Sequence, residues 1–260
     1  MCGRANPGLW GFAPLLRRLG ADLGFTQIVV GGSAILYVLT LLTSGRNLEV
    51  YGGGISFLVP SQQALLLFGM SGAIPVYGLG YWWTLLTASW LHGNLLHILF
   101  NMMWVRQLGP ATAEIIGPSR TVIVYTLAGV CGFLLSSTAG LFLGDLPLPL
   151  LRGAPLTLGA SASVFGLFGA LMHYGQTSGS SLIRGEAMRY AVPLFIFGLI
   201  MPGVDNYAHA GGFLGGYAAS ALMNPLTRER GDHMLVAIGC LAATALAIVW
   251  SVLTVYPRLR

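Results

Sequence analysis

The chain of 260 residues is 55% hydrophobic and only 8% charged, and its mean hydropathy is +0.75. Soluble domains carry about 25% charged residues, so this composition excludes a soluble fold and points to an integral membrane protein built as one helical bundle. The formal net charge of +5 comes from arginine alone, with no lysine; the arginines stand singly or in pairs without interleaved aromatics, which argues against a nucleic-acid surface and makes them markers of topology.

Arg17-Arg18 precede a long apolar run with no small-residue cleavage site after it, so the run reads as an uncleaved first helix. Apolar spans near the roughly 20 residues needed to cross hydrocarbon predict seven transmembrane helices, at 26–43, 94–114, 121–143, 159–175, 187–201, 208–223 and 233–255. The connection over 44–93 is too apolar for a free loop. It holds Ala64-Leu65-Leu66-Leu67-Phe68 and Tyr81-Trp82-Trp83, and Trp and Tyr favour the headgroup level. The expectation there is an interfacial segment with short helices, one starting at Pro60-Ser61. The chain thus divides into a cytoplasmic N-terminal segment (1–25), a six-helix core (26–223), and a linker with a seventh helix (224–260). Cys2, Cys131 and Cys240 are odd in number and far apart, which gives neither a disulfide framework nor metal spacing; the last two fall in apolar spans, where small buried thiols are common.

With the N-terminus cytoplasmic, the inner segments hold Arg4, Arg17, Arg18, Arg106, Arg120, Arg184, Arg189, Arg228 and Arg230, against Arg46, Arg152, Arg258 and Arg260 outside. That asymmetry supports the N-terminus in and the C-terminus out. The second, fourth and sixth helices then run the same way, from outside to inside. Each carries its unusual polar residues near its outer end: His97 and Asn101, Ser161, and His209. Short side chains on three helices meet only if the backbones approach closely. Gly211-Gly212 and Gly215-Gly216 on the sixth helix, with Gly159, Ser163, Gly166 and Ala170 on the fourth, supply the small residues that allow it.

Polar side chains inside a membrane are functional by default. Ser161 attacks a carbonyl only if a base takes its proton, and neutral His209 is the natural acceptor. Asp205 is the only carboxylate close in sequence to His209. It sits in the turn Pro202-Gly203-Val204-Asp205-Asn206 and reads as a turn or cap residue, so a two-residue dyad is expected. His97 and Asn101, four apart on one helix face, are candidate oxyanion donors together with the Ser161 backbone N–H; the alternative is a His–Asn pair that only holds the bundle. No metal is expected, because His92 and His97 lack a nearby carboxylate and no His-Glu-x-x-His occurs. No cofactor is expected either. His173 and His233 lie near inner helix ends and read as interfacial.

Taken together, these residues resemble the rhomboid family of intramembrane serine proteases. The resemblance runs from about Gly80 to Gly216: Trp82-Trp83, Leu85-Leu86-Thr87, Leu91-His92-Gly93-Asn94-Leu95-Leu96-His97 through Asn101, Gly159-Ala160-Ser161, and Ala208-His209 with Gly212, in family order. It implies Ser161 and His209 as catalytic dyad, His97 and Asn101 as oxyanion contributors, a first loop lying laterally in the membrane, and the fifth helix with the loop after it as a gate for a substrate helix. A seventh helix fits family forms with a C-terminal addition. Two departures stand out. Ala162 follows the serine where the family has Gly, adding a methyl at a close contact. Thr84 follows the tryptophan where the family has Arg, removing a cation that would anchor the loop.

The expected activity is therefore that of a serine endopeptidase acting on transmembrane protein substrates in the lipid bilayer, in a bacterial inner membrane with the site toward the extracytoplasmic side. A non-enzymatic binder of client helices is the alternative that Ala162 and Thr84 keep open. A transporter would want a midplane polar path or internal repeats, and neither is evident.

Overall fold

The computed structural model describes residues 20–51, 57–147 and 151–259. Cys2, Arg4, Arg17, Arg18, Arg260 and all but the end of the 1–25 segment lie outside the described residues. The chain is mostly helical. In order it forms α1 (Phe25–Ser44), a hairpin of β1 (Glu49–Tyr51) and β2 (Phe57–Val59), α2 (Gln62–Leu67), α3 (Thr84–Thr87), α4 (Leu95–Ile116), α5 (Pro118–Leu143), α6 (Ser161–Thr177), α7 (Ser181–Ile200), α8 (Asn206–Met223) and α9 (Gly231–Leu259). Each of the seven expected spans coincides with one long helix. Three of these are long and apolar enough to cross a membrane by composition alone: Phe25–Asn47, Pro118–Leu143 and Gly231–Arg258.

Local chemistry sets the helix starts. Asn94 caps α4 by accepting from His97 N at 2.8 Å, and Ser180 caps α7 by accepting from Ile183 N at 3.3 Å. Pro stands in the first turn of α5, where its missing N–H costs nothing. The α7 start is the one large departure from the sequence expectation. The helix begins at Ser181, six residues before 187, because Arg184, Glu186 and Arg189 are tolerated on an exposed face, with Arg189 and Glu186 paired at 3.3 Å.

The bundle is centred on α6, whose residues Ala162 to Leu171 are all buried; a helix apolar on all sides belongs in the middle of the core. α5 and α8 pack closely against it and against each other. The glycine ridges do this work on two faces. A Cβ at Gly212 or Gly216 would strike the Ala162 or Gly166 carbonyl on α6, while one at Gly211 or Gly215 would strike Cys131 on α5. By contrast, α7 buries only Ala187, Ala191 and Gly198, and its main neighbour is α6.

The connection from β2 to α3 is packed into the protein: Ala64, Leu65, Leu67, Phe68, Met70 and Val76 are buried. Ser61 caps α2 through Ala64 N at 3.2 Å, as its sequence suggested. Backbone hydrogen bonds tie this loop to the segment entering α6. Ser71 N donates to Thr157 O at 3.0 Å, Thr157 N returns to Ser71 O at 2.7 Å, and Gly159 N donates to Ala88 O at 2.9 Å. Thr84 is buried, with its hydroxyl 2.7 Å from Tyr81 O and 3.2 Å from Ser71 Oγ. A cation does reach this loop, but from α9: Arg258 donates to the Tyr81 hydroxyl and its guanidinium lies 5.3 Å from the Tyr81 ring centre.

Three expectations on lesser residues change. His173 is buried rather than interfacial, bonded through Nδ1 to Ser220 Oγ at 3.0 Å. Cys131 is exposed and Cys240 half-buried, because α5 turns Cys131 outward beside the glycines of α8. Arg120, counted as a topology marker, is buried and holds the linker, donating to Thr227 O at 2.9 Å and Arg228 O at 3.3 Å.

Candidate active site

Ser161 is the first residue of α6, and His209 lies in the first turn of α8. Their side chains meet: His209 Nε2 is 2.9 Å from Ser161 Oγ, across 48 residues of chain. A second contact between the same helices, His173 with Ser220, lies twelve residues on along α6 and eleven along α8. The two helices therefore run side by side in one direction for about 18 Å, at 1.5 Å per residue.

The His209 ring is 5% exposed and stacks on Phe165, one turn after Ser161, with centroids 4.3 Å apart and planes at 16°. Sequence reasoning missed Phe165. Its place four residues beyond Ser161, on the same helix face, was the available signal. His209 Nδ1 has no hydrogen-bond partner among the described residues, so none of their carboxylates orients the ring. Asp205 is instead the cap of α8, accepting from Ala208 N at 3.0 Å. Its other oxygen accepts from Ser136 Oγ and from Thr157 Oγ1 at 2.6 Å.

His97 approaches from α4. Its Nδ1 accepts from Gly93 N at 3.4 Å, which assigns the ring proton to Nε2. That Nε2 faces Gly159. A Cβ there would lie 2.7 Å from His97 Nε2 and 3.8 Å from Ser161 Oγ, so the lack of a side chain at Gly159 lets the His97 ring pack against the backbone just before Ser161. Gly159 also has φ +124°, a conformation side-chain-bearing residues rarely adopt. His92, fully buried, meets the His97 ring edge to face at 5.2 Å.

Asn101 is buried, and its Nδ2 donates to its own helix at His97 O, 2.9 Å away. The second N–H of the amide remains for another acceptor. The Ser163 hydroxyl is buried and bonded to Ser89 Oγ at 3.1 Å.

Ala162 is fully buried, and its methyl points into a small cluster with Val76, Leu85, Ala88, Phe133 and Ala208. Gly132 makes the room: a Cβ there would lie 2.8 Å from that methyl. The extra carbon after Ser161 therefore fills core.

A family model described as the Rhomboid domain matches residues 79–226, a span holding every residue named above as a site candidate. Rhomboid protease GluP of Bacillus subtilis (strain 168) is 29% identical over 218 residues, 82% of this chain and 38% of its own. RHOMBOID-like protein 7 of Arabidopsis thaliana is 29% identical over 215 residues, 75% of this chain and 64% of its own. RHOMBOID-like protein 2 of the same plant is 33% identical over 140 residues, 52% of this chain and 40% of its own. The chain thus spans less than two thirds of the length of each of these relatives. With helices apolar enough to cross a bilayer, and a family match over more than half its length, this integral membrane protein belongs to the rhomboid family.

Proposed function

We propose that the chain is an intramembrane serine endopeptidase that hydrolyses peptide bonds in or beside transmembrane segments of other membrane proteins. The observation that carries this reading is the 2.9 Å contact between Ser161 Oγ and His209 Nε2. A hydroxyl and an imidazole in hydrogen-bond reach are the nucleophile and base that acyl transfer requires.

In this reading His209 Nε2 takes the Ser161 proton as Oγ attacks the substrate carbonyl carbon. The developing oxyanion sits beside Gly159, facing the Ser161 N–H, His97 Nε2–H and the remaining N–H of Asn101. His209 then passes its proton to the leaving amine, and the C–N bond breaks. Water, deprotonated by His209, cleaves the acyl-enzyme. Because Asp205 is fully engaged elsewhere, the base is a lone histidine held by stacking on Phe165.

All seven long helices cross the bilayer, the N-terminus is cytoplasmic, and the site opens toward the extracytoplasmic face of a bacterial inner membrane. The catalytic core is 26–223, and 224–260 adds the seventh helix. The substrate helix enters past α7, which has few buried residues and an internal Pro193 that removes one helical hydrogen bond. It must locally unwind, because a helical backbone keeps its carbonyls hydrogen-bonded.

The test is cleavage of a model transmembrane substrate by protein reconstituted in nanodiscs, with a fluorophosphonate probe in parallel. The parent should cleave and label, and Ser161→Ala and His209→Ala should do neither. Undiminished cleavage by Ser161→Ala would overturn the assignment. A folded parent that binds the substrate helix but never labels would make the protein a binder.

A further inference from the structure

Asp205 does more than begin a helix. Its carboxylate gathers three donors from three elements: Ala208 N of α8 at 3.0 Å, Ser136 Oγ of α5, and Thr157 Oγ1 of the segment entering α6 at 2.6 Å. Ser136 and Thr157 are both buried. An ionised carboxylate suits this junction, since it accepts from all three and carries no proton of its own. Bonds to a charged acceptor are also about twice as strong as neutral ones.

The positions of the partners give the junction its meaning. Thr157 lies four residues before Ser161, and Asp205 four residues before His209. The Asp205–Thr157 bond therefore spans the two segments that carry the reacting pair, at the same offset from each. The Asp205 carbonyl also accepts from His209 N at 3.2 Å, which fixes the first turn of α8 on the residue that makes the tie. The other anchors of the 157–159 segment lead to the first loop, at Ser71 and Ala88, and not to α8. Among the described residues nothing bonds His209 Nδ1, so backbone placement and the Phe165 ring aim the imidazole.

We propose that Asp205 is the positioning residue of the site: through Thr157 and Ser136 it sets the distance between Ser161 and His209, and it acts without touching either side chain. This rests on the reading of Ser161 and His209 as the reacting pair. It differs from a triad, in which the carboxylate would bond the imidazole.

The experiment compares Asp205→Ala, Asp205→Asn, Thr157→Val and the double variant Asp205→Ala/Thr157→Val in the full chain. It measures kcat and KM for a model transmembrane substrate, together with Tm. Misplacing reacting groups by about 1 Å can cost on the order of 100-fold. Asp205→Ala should therefore lose roughly tenfold or more in kcat with KM within about twofold. Asp205→Asn keeps the cap and should lose less. Thr157→Val should lose about three- to tenfold at unchanged Tm, and the double variant should be no worse than Asp205→Ala, because one tie has already been cut. Parental kcat in Thr157→Val overturns the proposal, and that variant decides the matter if Asp205→Ala does not fold. Multiplying losses in the double variant, or kcat and KM falling in step with Tm, overturn it too. Ser161→Ala in the same series separates the failures. If it is inactive while Asp205→Ala is unimpaired, only the positioning role falls; if it is active, the reading of the pair falls first.

Discussion

Replacing Gly212 with alanine tests whether helix contact sets the chemistry. The new Cβ would lie 2.8 Å from the Ala162 carbonyl carbon and 3.0 Å from its Cα. These are backbone atoms, so no rotamer change relieves the clash. Ordinary contact begins at 3.4 Å, and α6 and α8 must part by at least about 0.6 Å, more to clear the carbonyl oxygen. Gly212 is three residues from His209, and Ala162 adjoins Ser161, so the displacement falls at the level of the pair. It would carry the Oγ–Nε2 separation from 2.9 Å to about 3.5 Å or beyond, the edge of hydrogen bonding. General-base assistance supplies about 10²–10⁴ in rate, and losing the lower end of that range corresponds to about 2.7 kcal/mol in the barrier. The stability cost should be about 1–3 kcal/mol. The assay is kcat for a model transmembrane substrate, with Tm measured beside it. Gly239→Ala is the control, since a Cβ there meets nothing within 4 Å; it should keep parental kcat and gain up to about 1 kcal/mol in stability. Parental kcat in Gly212→Ala would refute the claim that this contact holds the pair together.

Gly159→Ala should abolish cleavage, since its methyl would strike the His97 ring, 2.7 Å from Nε2, and displace it; fluorophosphonate labelling should be lost in step. Phe197→Ala and Tyr190→Ala should speed cleavage about two- to tenfold, because they remove the ring contacts of α7 with α4, Phe100–Phe197 at 6.5 Å and Trp104–Tyr190 at 5.5 Å, each worth about 0.5–1.5 kcal/mol. Initial-rate kinetics check this, and an unchanged or slower rate in both variants would count against entry past α7. Arg258→Gln should increase hydrogen exchange in residues 71–84 without altering exchange in α6, because it removes the cation over Tyr81.

The seven helices were legible because continuous apolar spans outweigh local detail in lipid. One start was harder: the charges of Arg184, Glu186 and Arg189 hid the first turn and a half of α7, although Ser180 was a readable cap. Ser161, His209 and His97 were legible as costly polar interruptions at matching helix ends. Phe165 was not, because an aromatic four residues beyond a serine has the same appearance as ordinary core. The direction of the Asn101 amide and the destination of the Ala162 methyl depend on which neighbour each side chain meets, and spacing along one helix does not encode that. Thr84 misled for a related reason. Its missing cation is matched by Arg258, at the far end of the chain, and only the packing of α9 against the first loop brings the two together.

The capping pattern separates α6 from its neighbours. Asn94 closes the start of α4 and Asp205 closes the start of α8, satisfying N–H groups that a helix leaves unpaired in its first turn. Among the described residues no side chain caps α6, which begins at Ser161 itself. An uncapped helix start in a low-dielectric setting is a cost in the resting protein, since its first N–H groups lack a side-chain acceptor and its dipole presents a partial positive charge. The same start is an asset to a reaction in which negative charge appears on an oxygen beside Ser161, because donors fixed in advance need no reorganisation. Installing a cap therefore separates the two roles. Ala160→Asp, placed at the capping position, should satisfy the open donors and raise Tm if the start is merely strained structure. If the start serves the oxyanion, the same carboxylate should depress kcat by about 10²-fold or more, the scale of losing one oxyanion donor, whatever it does to Tm. A variant with raised Tm and parental kcat would show that the bare start of α6 takes no part in the chemistry.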